Sequence, residues 1–122
     1  MSRPKKGDRK EEIIEAGLEV FAQRGYYQTT TALIAEMAGI SQPYVFKFFK
    51  TKEVLFETAL NRAYERINRS FQNVEADPDH LIEAMIAAYE SLSDSRPYEV
   101  ALQVIGLSVP DAAIRAVTRQ AC

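Results

Sequence analysis

Residues 30–49 read Thr30-Thr-Ala-Leu-Ile-Ala-Glu-Met-Ala-Gly-Ile-Ser-Gln-Pro-Tyr-Val-Phe-Lys-Phe-Phe49. The stretch predicts two short helices joined by a tight turn. Thr30 offers a hydroxyl N-cap to a segment over Ala32–Ala38. Gly39 ends that segment and permits the positive φ that the turn needs. Ser41 is the next N-cap, and Pro43 falls in the first turn of the second helix, where its missing N–H costs nothing. Ala35 and Ala38 keep the first helix narrow where the second crosses it. Ile34, Ile40, Val45 and Phe49 are placed to clamp the pair onto neighbouring helices. Such a helix-turn-helix leaves the start of its second helix free to enter a major groove, which is wide enough for one helix.

The outward face of that second helix carries Gln42, Pro43, Tyr44 and Lys47. Glutamine can pair with adenine, lysine with guanine or phosphate, and proline or tyrosine can touch a thymine methyl. Lys50 and Lys52 flank the exit. Thr51 opens a long helix whose free N–H groups can hold a backbone phosphate.

Working outward, the whole chain reads as helix, with no repeat and no sustained period-2 alternation. From Lys10 to Arg24, Ile13, Ile14, Gly17, Leu18 and Phe21 recur at helical spacing, and Gly25 is a left-handed stop. After Thr51, the positions Leu55, Phe56, Ala59, Leu60, Ala63, Tyr64, Ile67 and Phe71 form a one-sided apolar stripe. Asp77-Pro78 predicts an N-cap with proline at the first helical position. The helix that follows puts Leu81, Ile82, Met85, Ile86, Tyr89 and Leu92 on one face. Arg96-Pro97 separates it from an apolar segment over Val100–Leu107. Ser108-Val-Pro-Asp111 fits a capping box for a last helix with Ile114 and Val117 inward. The expected fold is therefore all-α.

The 122 residues suit one domain, or a small domain plus part of another. Hydrophobic residues at 47% and charged residues at 26% give the balance of a globular protein. One cysteine, Cys122, cannot close an internal disulfide, so nothing calls for an oxidising compartment. No apolar run follows the basic start, and none reaches the roughly 18 residues of a membrane span. The expectation is a cytoplasmic protein with no membrane partner. The net charge of −2 hides an asymmetry. Residues 1–52 hold nine Lys/Arg against six Asp/Glu, and residues 53–122 hold six against eleven, or +3 against −5. A basic front suits a polyanion, and equally suits a solvated arm with ordinary surface scatter. Arg3, Lys5, Lys6, Arg9 and Lys10 carry the same two readings, a groove-reaching arm or a solubilising tail.

Enzyme chemistry finds no support. His80 stands alone beside acids, without the neighbours of a metal site or a triad, and there is no Gly-rich phosphate loop. Glu11-Glu12 is expected on a solvated helix face. No catalytic residue, metal or cofactor is expected.

At particular residues the sequence resembles the TetR family of regulators. These are Gly25-Tyr26, Thr29-Thr30, Ile34-Ala35, Ala38-Gly39-Ile40-Ser41, Phe46, Phe48-Phe49, Lys52-Glu53 and Leu55. The match runs without a gap over about residues 10–60. The resemblance implies a three-helix bundle with its helix-turn-helix, followed by helices of a C-terminal ligand and dimer domain that is truncated here. It divides the chain into a flexible basic arm (1–9), a DNA-binding domain (10–52) and a partial ligand-binding and dimerisation domain (53–122). It implies a repressor that binds a palindromic double-stranded operator as a homodimer and is released by a small-molecule effector. The DNA-binding residues carried over are Thr30, Thr31, Ser41, Gln42, Pro43, Tyr44, Phe46, Lys47, Lys50 and Lys52. Tyr64, Phe71, Met85 and Tyr89 are expected either in the core or lining an effector pocket. Three positions depart from the family. Phe46 stands where a tyrosine hydroxyl commonly meets phosphate, Phe48 where Tyr or His is common, and Pro43 where Gly is frequent. Two other readings fit the residues: a helical interaction module that has lost operator binding, and a regulator that contacts one half-site as a monomer.

Overall fold

The computed structural model describes residues 6–109. Among them lie six α-helices: α1 (Lys6–Arg24), α2 (Thr31–Ala38), α3 (Gln42–Phe48), α4 (Lys52–Gln72), α5 (Leu81–Ser95) and α6 (Pro97–Ser108). No strand occurs among the described residues, so the all-α expectation holds. α1 begins at Lys6 rather than Lys10, so residues 6–9 of the expected arm are helical.

Each helix boundary near the turn has a chemical cause. Gly25 ends α1 at φ +80°, its N–H bonding the Phe21 carbonyl at 2.8 Å. The buried Thr29 hydroxyl then donates to the Gly25 carbonyl at 2.6 Å, closing the frayed end from the following loop. The Oγ atoms of Thr30, Ser41 and Thr51 accept from the N–H groups of Leu33, Tyr44 and Val54 at 3.1, 3.3 and 3.2 Å. All three predicted caps are thus in place. Gly39 adopts φ +73°, and its N–H meets the carbonyls of Ala35 and Glu36.

The core is the α1–α4 contact with the turn helices laid across it. Ile13, Ile14, Leu18 and Phe21 of α1 meet Leu55, Phe56, Ala59, Leu60 and Ala63 of α4 in one buried cluster. Phe56 stands edge-on to Phe21 at 4.8 Å and to Tyr26 at 5.0 Å. Ile34, Val45 and Phe49 join the cluster, with Ile40 packed at its edge. The predicted clamp therefore forms. Leu102 and Val109 of the α6 region enter the same cluster, so the α1–α4 head and the α6 region of the body share a core.

A polar seam crosses this junction. Glu11, Glu15, Glu19 and Gln23 recur every fourth residue along one ridge of α1. Arg62 of α4 pairs with Glu11, one of its bonds at 3.0 Å. Arg66 pairs with Glu15 and, at 2.6 Å, with Glu99 of α6, which is only 4% exposed. Tyr98 of α6 donates to Glu19 at 3.1 Å and accepts from Gln23 at 3.3 Å. Glu11 lies on the solvated face expected of it and is also an ion-pair partner. The Arg62 bond holds its carboxyl below the ordinary 4.5, against a smaller opposing effect of burial.

The second half departs further from expectation. Asp77 makes no side-chain cap bond; its carbonyl accepts from His80 N–H at 2.9 Å in a 3₁₀ turn, Pro78–His80, and α5 starts only at Leu81. On α5 the apolar face is not core. Leu92 is 5% exposed, but Ile82 is 74% and Ile86 53% exposed. The reason is geometric. Phe71, in the last turn of α4, stacks on Tyr89 of this face, while Ile82 and Ile86, nearer the start of α5, lie open among the described residues. The expected capping box at Ser108–Asp111 and its helix fall beyond the described residues, apart from Ser108, which closes α6, and the buried Val109.

Two glycines should respond oppositely to alanine. A Cβ at Gly39 meets nothing within 4 Å, so Gly39→Ala carries only the left-handed backbone cost, roughly 1–2 kcal/mol. A Cβ at Gly17 would touch Leu55 at 3.5 Å, an ordinary contact inside a helix, so Gly17→Ala should stabilise by about 0.5–1 kcal/mol. Urea midpoints moving in the same direction would contradict this.

Acid should loosen the seam. A carboxyl held below its unfolded value contributes stability that is complete above about 4.5 and lost as pH falls through the lowered folded value. Urea midpoints at pH 7, 5 and 3 should therefore fall on acidification, and Glu11→Gln should flatten part of that fall. An unchanged pH slope in Glu11→Gln would mean that the pair is energetically silent.

Candidate nucleic-acid interface

α3 is a short helix gripped by its inner face. Val45 is fully buried and Phe49 nearly so, which turns Gln42, Pro43, Phe46 and Lys47 to the outside. Phe46 is 44% exposed. Tyr44 is half-buried, edge-on to Phe48 at 5.5 Å, and the Lys47 ammonium lies 5.4 Å over the Tyr44 ring. Phe48 thus supports a ring that in turn steadies a lysine. Gln42 Nε2 donates to Thr31 Oγ1 at 2.7 Å, linking the first residues of α3 and α2.

The other expected site residues divide into two groups. Thr30, Ser41 and Lys50 are exposed near the turn. The capping hydroxyls of Thr30 and Ser41 accept from backbone, which leaves each O–H proton for an outside acceptor. Lys52 is placed differently. It is half-buried, donates to the Tyr26 carbonyl at 2.9 Å and lies 4.3 Å over the Tyr26 ring. The neighbouring Glu53 is held below its ordinary 4.5, first by its own backbone N–H at the start of α4 and next by the Tyr26 hydroxyl. Lys52 and Glu53 therefore pin the loop after α1 to the start of α4. Lys10, read from the sequence as part of a groove-reaching arm or a solubilising tail, places its ammonium 5.9 Å over the Phe49 ring just past α3. No local pattern announces that contact, because 39 positions of chain separate the two residues.

The expected pocket residues are also separated. Phe71 stacks on Tyr89 at 6.3 Å, and with Ile82, Met85, Ile86 and Glu90 they line an open groove of about 460 Å³. Tyr64 is not among them; it is 4% exposed and belongs to the main core. Among the described residues no group of three or more His, Cys, Asp or Glu could hold a metal ion, and no helix is long and apolar enough to cross a membrane.

Together the helix-turn-helix, its exposed outer face and the α4–α6 helices define an all-helical protein of the helix-turn-helix class. Residues 13–59 match the family "Bacterial regulatory proteins, tetR family". The chain is 41% identical over 69 residues to the HTH-type transcriptional regulator LuxR of Vibrio harveyi, covering 57% of this chain and 32% of that protein. It is 44% identical over 50 residues to the HTH-type transcriptional regulator YhgD of Bacillus subtilis, covering 41% of this chain and 26% of that one. A TetR-like transcriptional regulator from Rhodococcus sp. RHA1 superposes with a TM-score of 0.82 at 18% identity, over 97% of this chain and 63% of that structure; at that identity it speaks for the fold. Over residues 13–59 the chain is similar to the TetR family, which supports a TetR-family transcriptional regulator. It spans about a quarter to a third of the length of those two curated relatives.

Lysines of this surface should separate by role. Lys52→Ala should lower stability by about 1 kcal/mol, through loss of a charged hydrogen bond to a half-buried carbonyl. Lys47→Ala should stay within about 0.5 kcal/mol, as ordinary surface changes do. Equal thermal shifts in the two variants would refute the distinction.

Proposed function

We propose that the chain acts as a sequence-specific DNA-binding repressor, with α3 seated in the major groove of a palindromic operator. The observation that carries this is the outward face of α3, whose Gln42, Pro43, Phe46 and Lys47 are held out by the burial of Val45 and Phe49. Gln42, Pro43, Tyr44 and Phe46 supply base-edge and methyl contacts, and Lys47 reads guanine or meets phosphate. Thr30, Thr31, Ser41 and Lys50 flank them along the backbone, with Lys52 securing the start of α4, whose N–H groups face phosphate. Residues 10–52 form the reading domain. Residues 53–122 belong to the effector and dimer domain, and the repressor works as a homodimer in the cytoplasm.

The effector is a mostly apolar small molecule. The groove of Phe71, Ile82, Met85, Ile86 and Tyr89 offers aromatic, branched and thioether surface with Glu90 as its one charge. The polar seam from α1 to α6 supports release, because a shift of α6 would be felt by the head through Glu99, Arg66 and Glu15.

Selection from a random duplex pool at low salt tests the proposal, with each complex sized by light scattering. A palindrome with half-sites one helical turn or more apart supports the dimeric operator. Affinity should fall with salt at a slope near −0.9 per phosphate contact, and Lys47→Ala or Lys50→Ala should each weaken binding. A lone half-site would overturn the dimer for this chain. No enrichment, with both lysine variants indistinguishable from the parent, would favour a helical interaction module instead.

A further inference from the structure

Gln42 is exposed and Thr31 half-buried, so the 2.7 Å bond between them ties a mobile amide to a fixed hydroxyl. Thr31 is β-branched and sits at the first position of α2, which restricts its rotamers. A primary amide has two N–H donors and a carbonyl acceptor. The bond to Thr31 uses one N–H. What remains is the carbonyl beside the second N–H, the acceptor and donor pair that adenine meets with N6–H and N7 in the major groove. Gln42 is also the one residue of α3 with both functions on a planar group. Lys47, steadied over the Tyr44 ring, is a point charge without that pattern.

We infer that Thr31 is a positioning residue for base recognition: its hydroxyl orients the Gln42 amide toward an adenine of the operator. This rests on α3 as the groove-entering helix, and it assigns Thr31 a task other than contact with the backbone. An untethered glutamine gives up its rotamer freedom on meeting the base, whereas the tethered one has given it up already. The consequence is selectivity at one base pair, not affinity spread over the site.

The test is the sequence preference of four forms of the chain: parent, Gln42→Ala, Thr31→Val and Thr31→Ser. Each is taken through selection from the random pool, and then through competition between the selected duplex and versions changed at one base pair. The parent should show an adenine column with a preference on the order of tenfold or more over other bases. Gln42→Ala should flatten that column alone. Thr31→Val has nearly the same shape without the hydroxyl, and should lower the adenine preference several-fold with the other columns intact. Thr31→Ser should restore it. If Thr31→Val leaves the column unchanged, or weakens all duplexes alike, Thr31 does not act through Gln42 and the inference fails alone. If the parent selects no motif, the operator-binding reading fails and takes this inference with it.

Discussion

Tyr26 is held from several sides at once, and the position of α3 depends on it. Its ring packs against both Phe21 and Phe56, the Lys52 ammonium sits over the ring, and its carbonyl accepts from the same lysine. Its hydroxyl reaches Glu53. The contact closes a loop in the chain: α1 leaves at Gly25, α2 and α3 turn across the bundle, and α4 starts where Tyr26 is waiting. Without that closure, α2 and α3 would be two short helices of 8 and 7 residues, well under the length at which isolated helices persist. Their order is therefore tertiary, borrowed from the α1–α4 core.

The same arrangement explains why motif residues can be indispensable without meeting a ligand. Thr29 is buried and closes the end of α1, while Lys52 and Glu53 grip Tyr26. These contacts hold the fold together, and Gln42, Phe46 and Lys47 are left facing outward. Burial of Val45 decides that division, since a helix with one fixed inner side can present only its opposite side.

Head and body are joined by apolar contact and by charge. Leu102 and Val109 reach the core of the head, and the Glu11, Glu15, Glu19 and Gln23 ridge meets Arg62, Arg66 and Tyr98. Exposed ion pairs are individually worth little. Arg66 differs, because it bridges α1 and α6 and one partner, Glu99, is nearly removed from solvent. Leaving such a carboxylate without its partner would be costly. The junction therefore resists small displacements more than its net charge suggests.

The sequence by itself determined the helical class, the turn at Gly39, the three hydroxyl caps and the inward stripe of α4. Each of these is written in local chemistry: an N-cap needs its own third neighbour, and a stripe needs only the helical period. Gln42, Pro43 and Lys47 were legible as outward residues for the same reason, whereas Tyr44, expected beside them, is half-buried and Phe46 faces outward. Only the tertiary structure decided which apolar and charged faces found partners. The face of α5 has the same helical period as that of α4, yet Ile82 and Ile86 lie open while Leu55 and Phe56 are sealed. Glu11 was indistinguishable from a solvated acid until α4 brought Arg62 beside it from 51 residues away. Tyr64 and Phe71 share one stripe but part company, one in the core and one in the groove, because the helices packed against α4 change along its length. Periodicity tells which side of a helix is apolar, and packing alone tells what that side meets.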